Sequence, residues 1–241
     1  GETGPCGPSS EIFYWTGDEK APTKYDSEDE RWVEIWNNVF MSYNRLKDGS
    51  LEELKQKNVD TGMGFERTLA VLNGKKSAYE TELFSGVISK IEELSGKKYS
   101  GQKEIRIIAD HIRSAVFVLG DENSVTPSNV DRGYILRRLI RRAVRYGKVI
   151  GIDAMFLVQL AEIVIKEYSD YYSELNINQN LIVSELKKEE EKFALTLEKG
   201  LKEFEKMSSK DISGKDAFLL FQSYGFPYEM TEELAAENGI K

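Results

Sequence analysis

The sequence is short of the residues that build compact chemical sites: among 241 residues there is one cysteine, Cys6, and one histidine, His111. A single cysteine excludes an internal disulfide framework and fits a reducing compartment, so a cytoplasmic location is expected. One Cys and one His cannot assemble a zinc site of the usual nitrogen and sulfur type. They also exclude a His-centred triad or a Cys–His pair, unless the histidine lies buried beside a serine. No stretch approaches the roughly 20 apolar residues that span a bilayer, so no membrane partner is expected. The opening GETGPCGPSS has no basic segment leading into an apolar one and does not read as a signal peptide. It lacks an initiator Met and opens inside a turn-rich run, which reads as an internal piece of a longer chain. Nothing in the sequence speaks to oligomeric state.

Net positive charge is lacking as well. The formal charge is −8, with 33 Lys and Arg against 41 Asp and Glu, which argues against a dedicated nucleic-acid-binding protein. The distribution says otherwise. Between Arg132 and Lys148 stand seven basic residues and no acidic one, a stripe that points at one surface. Hydrophobic residues make up 40% of the chain, enough for one large core or two modest ones.

The first part reads as loops and strands. Gly4, Pro5, Gly7 and Pro8 punctuate the start, and Glu11–Trp15 is a short β-prone run. Trp32–Tyr43, aromatic and β-branched, suits a strand buried on at least one face. Asp48-Gly49 is a hairpin signal, so Leu51–Val59 is expected to return to the same sheet. Asp60-Thr61-Gly62-Met63-Gly64 is a Gly-rich strand-to-helix junction, with helical spacing from Phe65 through Leu72.

From there the pattern is helical: Ala78–Leu94, Lys103–Leu119, Asp131–Tyr146, Ala154–Tyr171, Asn178–Met207 and Gly214–Tyr224. Thr126–Asn129 is a turn before a helix start, and Lys210–Gly214 is a further break. The charge run Leu186–Lys192 (LKKEEEK) reads as a solvated helix face. The boundary between a sheet part and a helical part is expected between Asn73 and Lys103, giving domains 1–85 and 86–241 and an α+β class.

Five ordered segments carry a resemblance. They are GETGPCGPSSEI (Gly1–Ile12), WNNVFMSYNR (Trp36–Arg45), VDTGMGFER (Val59–Arg67), PSNVDRGYILRRLIRRAVRYG (Pro127–Gly147) and YGFPYEMT (Tyr224–Thr231). Together they resemble alanyl-tRNA synthetases, a family of class II aminoacyl-tRNA synthetases, and VDTGMGFER resembles their motif 3. The resemblance implies the C-terminal part of a class II antiparallel β-sheet domain followed by a mostly helical tRNA-recognition domain. It implies ATP and Mg²⁺ as cofactors, and L-alanine and the acceptor stem of alanine tRNA as partners. The reaction it implies joins alanine and ATP to alanyl-adenylate and then passes alanine to the 3′ end of the tRNA. Nothing in the chain resembles motif 1 or the motif 2 arginine, which are expected upstream. The family's separate editing domain, where zinc is expected, has no counterpart here.

Residue by residue, Gly62 and Gly64 let backbone approach a ligand, and the following helix offers its positive end to phosphate. Arg67 matches the arginine that lies on adenine and reaches the γ-phosphate; on the residues alone it is a surface arginine at a helix start. Asp60 matches the aspartate that takes the α-ammonium of alanine; on the residues alone it is a helix N-cap. Val39 and Gly62 match positions shaping the methyl pocket. Such a pocket rejects larger amino acids by clash but not glycine or serine. Glu11 and Glu34 are the acidic candidates for Mg²⁺, or else solvated strand carboxylates. Cys6 reads as a small packing residue.

Arg137, Arg141 and Arg145 share one helical face, with Arg138 and Arg142 beside them. Ile135, Leu136, Leu139, Ile140, Ala143 and Val144 form the apolar side. That cationic face is the footprint expected for a phosphate backbone; the alternative is a helix paired with acidic neighbours inside the protein. In the family, an asparagine matching Asn129 and an aspartate in the GFPxDLT segment flank the acceptor stem and read a G·U pair. This chain has Glu229 at the second position, one methylene longer. Asn129 also reads as the cap of the helix beginning near Asp131. His111, with Ile108, Ile112 and Ala115 at helical spacing, reads as a core histidine. Readings from other classes are a non-catalytic RNA-binding module with a vestigial synthetase core, and a helical scaffold with an internally neutralised arginine helix.

Overall fold

The computed structural model describes residues 2–208 and 211–240; Gly1 and Lys210, at the edges of two segments quoted above, lie outside them. The chain forms two compact units, residues 1–85 and 86–241.

The first unit is built on one long strand. β3 (Trp32–Arg45) pairs along one edge with β1 (Gly4–Cys6) and β2 (Ser9–Trp15), and along the other with β4 (Leu51–Met63), all antiparallel. The Gly- and Pro-rich opening is therefore partly strand. At Gly7 the backbone passes so close to the Phe40 carbonyl that no Cβ fits. The Asp48-Gly49 turn joins β3 to β4, with Gly49 at φ +86°, a conformation that glycine adopts without strain.

Cross-strand register fixes which residues share a face. Ile12, Trp36 and Met63 lie abreast, and Phe40 faces Val59 on the same side. All five side chains are exposed, as are most residues of β4. The expectation that Trp32–Tyr43 is buried on one face is thus corrected: none of its residues is buried, because no described element packs over that side. Helix α1 (Phe65–Leu72) follows β4 and buries Ala70.

The second unit holds the main core. α2 (Glu82–Ser95) begins just before it, after a 3₁₀ turn at Ala78–Glu80 that splits the helix expected over Ala78–Leu94. Then come α3 (Lys103–Gly120), α4 (Asp131–Val149), α5 (Leu157–Tyr168), α6 (Glu174–Ile177), α7 (Gln179–Met207), α8 (Gly214–Tyr224) and α9 (Tyr228–Glu237). α3, α4, α5 and α7 bury Ile108, Ile112, Leu136, Ile140, Leu160 and Phe193 at 1% exposure or less. On α4 the buried apolar line is Leu136, Ile140, Ala143 and Val144. Ile135, expected with them, is 49% exposed. α8 is fixed by a capping box, Ser213 with Asp216, and ends on Gly225 in the left-handed conformation at φ +71°.

The acidic run Leu186–Lys192 departs from the solvated face expected of it. Glu189 and Glu190 on α7 are 4% and 2% exposed. Buried carboxylates require partners, and both have them. Glu190 accepts hydrogen bonds from the Phe156 and Leu157 N–H groups at 2.9 and 3.2 Å, so a side chain of α7 caps the start of α5.

Candidate functional site

In the sheet unit, one face collects the residues singled out for nucleotide and amino-acid binding. Val39 lies opposite Asp60, Asn37 opposite Gly62, and Glu11 opposite Asn37. Residues directly opposite in an antiparallel pair share a face, so Glu11, Asn37, Val39, Asp60 and Gly62 form one patch. Asn37 Nδ2 donates to Glu11 at 3.1 Å, which ties the patch together. A Cβ at Gly62 would point into open space, so any side chain there would occupy the volume before the patch. Asn37 was not singled out from sequence; strand alternation two residues before Val39 is the signal that finds it.

A β-bulge completes the geometry. The register shifts between Ile12 and Phe13, so Phe13 faces Glu34 and Ile35 is left unpaired. Without that extra residue, alternation would turn Glu34 to the opposite face from Glu11; with it, both carboxylates share a side. The bulge also anchors α1. The Ile35 carbonyl accepts from the Gly64 N–H at 3.2 Å and the Thr68 hydroxyl at 3.4 Å. Arg67 donates to the Glu34 carbonyl at 3.2 Å and lies 3.8 Å from its carboxylate.

Asp60 does not cap this helix. β4 runs on through Met63, Gly64 stands at the N-cap, and no side chain caps it. Asp60 is thereby left exposed on the sheet face, its carboxylate open to a ligand. Glu11 and Glu34 are hard oxygen donors, as Mg²⁺ requires. Among the described residues no three His, Cys, Asp or Glu side chains converge, and Mg²⁺ ordinarily completes its shell with water and substrate phosphates.

In the helical unit, the arginine stripe resolves into two groups. Arg141 and Arg145 are 6% and 3% exposed. Arg141 donates to Glu189 through Nε at 2.6 Å and to the Gly225 carbonyl. Arg145 donates to Glu233 at 3.3 Å and to Glu237. Arg142 grips Glu233 with both Nε and Nη2, at 3.0 and 2.6 Å, and donates to His111 Nε2 at 3.0 Å. His111 Nδ1 lies 3.1 Å from Asp110, so the ring is held between that carboxylate and the Arg142 guanidinium. It is 8% exposed and structural.

Burial pushes the Glu233 carboxyl up, but Arg142, Tyr146 and Arg145 outweigh it and hold the group at about 2. The expectation that Arg141, Arg142 and Arg145 face phosphate is corrected: acidic residues of α7 and α9 use their donors inside the unit.

The start of α4 is different. Asn129 is exposed and does not cap the helix; the N-cap is Val130, with no side-chain bond. Instead its Oδ1 accepts from Arg137, and Glu229 accepts from Tyr134 at 2.7 Å and Arg138 at 2.6 Å. Partial burial pushes Glu229 up, yet those bonds outweigh it and hold its carboxyl below the usual range. Tyr134 was not foreseen; its place one turn before Arg138 on the polar side of the helix is the signal. Asn129, Tyr134 and Arg137 also line a cleft of about 330 Å³.

Gly133 lets the loop bearing Asn129 pack on α4. An added Cβ would lie 2.3 Å from Ser128 Oγ and 2.6 Å from the Thr126 carbonyl oxygen, which is backbone and cannot swing aside. Gly133→Ala is expected to cost about 1–3 kcal/mol, read as a lower melting temperature; an unchanged Tm would show that the loop yields freely.

The chain belongs to the family described as tRNA synthetases class II (A), which it matches over residues 1–241. Among curated proteins it is similar to the alanine--tRNA ligases of Treponema denticola and Borrelia hermsii. The identities are 52% over 253 residues and 50% over 250, each covering all of this chain and 42% of the relative. The alanine--tRNA ligase of Francisella tularensis subsp. novicida is 43% identical over 248 residues, covering all of this chain and 28% of the relative. The chain thus spans less than half the length of these relatives. No helix among the described residues is long and apolar enough to cross a membrane.

Proposed function

We propose that this chain is the part of a cytoplasmic alanine--tRNA ligase that supplies motif 3 and acceptor-stem recognition. The observation that carries the reading is the single sheet face holding Glu11, Val39, Asp60 and Gly62, with Glu34 returned to it by the bulge and Arg67 beside it. Asp60 takes the alanine ammonium, and Val39 and Gly62 bound its methyl group. Arg67 and the start of α1 hold ATP, with Gly64 keeping the approach open. Glu11 and Glu34 would hold Mg²⁺, which supplies charge neutralisation at the phosphates. The protein's contribution is to position the carboxylate of alanine against the α-phosphate. In the helical unit, Asn129 and Glu229 read the acceptor stem, and Arg137 and Arg138 add positive charge beside them.

The chain contains no motif 2 arginine, so it is expected to show no alanine-dependent pyrophosphate exchange by itself. Adding the preceding segment of a relative should restore exchange. In that assembly Asp60→Ala should raise the alanine KM about 10- to 150-fold, the worth of one hydrogen bond to a charged group. Exchange by the chain alone overturns the incompleteness. Failure to recover it with the added segment favours a non-catalytic RNA-binding module.

A further inference from the structure

An asparagine side chain presents a donor and an acceptor, and its surroundings decide which one faces outward. Asn129 has that choice made for it. Its Oδ1 accepts from Arg137, and a guanidinium has no acceptor to offer in return. The amide Nδ2 is therefore the end turned to solvent. Arg137 is itself held: its Nε lies 3.2 Å from the buried Glu189 carboxylate, and its side chain is only 13% exposed. Glu229 is set in the complementary sense. Tyr134 and Arg138 donate to its two oxygens, keep it ionised, and leave each oxygen a further lone pair for a ligand.

Tyr134, Arg137 and Arg138 stand at i, i+3 and i+4 on α4, one face of one helix. Asn129 comes from the loop before α4, and Glu229 from the first turn of α9, 100 residues apart in sequence. A single helix face thus orients both.

We propose that Tyr134, Arg137 and Arg138 are positioning residues that polarise a two-point reader, presenting a hydrogen-bond donor at Asn129 and an acceptor at Glu229. The proposal rests on the acceptor-stem reading given above. Phosphate attraction is a separate effect: it adds affinity for any RNA, whereas the polarity of the reader sets which base pair is preferred.

The test is the ratio of Kd values for two acceptor minihelices, one with G·U and one with G·C at the recognised pair, measured by fluorescence anisotropy at two salt concentrations. The whole 241-residue chain is compared with its Tyr134→Phe and Arg137→Lys variants. Each removes one orienting bond while retaining the ring or the charge. Each should lower the discrimination ratio about two- to tenfold, the worth of one hydrogen bond.

Asn129→Asp is the third variant, chosen because it is isosteric and pairs better with Arg137, so folding is preserved. It offers no donor, and it should abolish the preference without lowering Tm. Equal binding of both RNAs by the unsubstituted chain would overturn the acceptor-stem reading, and the positioning roles with it. Discrimination that survives in Tyr134→Phe and Arg137→Lys overturns the positioning roles alone; discrimination that survives in Asn129→Asp overturns the donor assigned to Asn129. Those roles also fall if both RNAs lose affinity equally with a shallower salt slope, since that is the signature of a phosphate contact.

Discussion

Glu189→Ala should lower the stability of the helical unit by about 3–5 kcal/mol, the usual cost of removing one partner from a buried ion pair. Glu189 is 4% exposed and sits between two guanidinium groups, with Arg141 at 2.5 Å and Arg137 at 3.2 Å. Arg141 is itself buried, and burial already pushes its proton affinity down. Without the carboxylate it keeps a hydrogen bond to the Gly225 carbonyl and the Phe193 ring 5.1 Å away, neither of which neutralises a charge. For a chain of this size the loss corresponds to a fall in melting temperature of roughly 6–20 °C.

The double variant Glu189→Leu with Arg141→Met should recover much of the loss, because replacing a whole buried pair by apolar groups is often neutral. Calorimetric or circular-dichroism melts check both. A loss below about 1 kcal/mol in Glu189→Ala would mean that water reaches Arg141 and that the pair is not structural.

The second large effect is a pH dependence centred on Glu190. Burial pushes its carboxyl up to about 7, against the downward pull of the Phe156 and Leu157 N–H groups. Its ordinary value is 4.5, so between the two pH values the folded chain holds a proton that the unfolded chain has lost. The stability contributed by this group is fully present below about 4.5 and is lost as pH rises through about 7. The gap corresponds to at most about 3 kcal/mol. Glu233 runs the other way, at about 2, and its contribution is lost only as pH falls below 4.5. The two windows do not overlap. Denaturant unfolding at pH 5 and pH 8 should show the unsubstituted chain weaker at pH 8, with the difference largely removed in Glu190→Gln. Equal pH dependence in both proteins would place the titration elsewhere.

Much of the architecture is legible from the residues. β3 is an aromatic and β-branched run, α1 begins after a Gly-rich junction, and α8 runs over Gly214–Tyr224, directly after a break. Each of these signals is local, and each element lies where its pattern puts it. α9 was not foreseen. It starts directly after Pro227 with a mixed composition; it buries a short apolar side of Met230, Leu234 and Ala235, and Glu229, Glu233 and Glu237 pair it with α4. The bulge at Ile35 was equally invisible, since a shift of register depends on the partner strand and not on the strand itself.

By itself the sequence determined the α+β class, the three longer strands and most of the helices, the resemblance to a synthetase family, and the residues to examine on the sheet face. These follow from periodicity, turn chemistry and ordered motifs, all of which are properties of short stretches of chain. Only the tertiary structure decided which partners the arginines of α4 meet inside the unit. Five cations on one helix face are compatible with an RNA backbone and with internal ion pairs, and spacing cannot separate the two. The decision lies with Glu189, Glu229, Glu233 and Glu237, between 48 and 92 residues away from the arginines they bind. A charge is neutralised by whatever the fold brings within about 4 Å of it, and that distance is set by how α7 and α9 pack on α4.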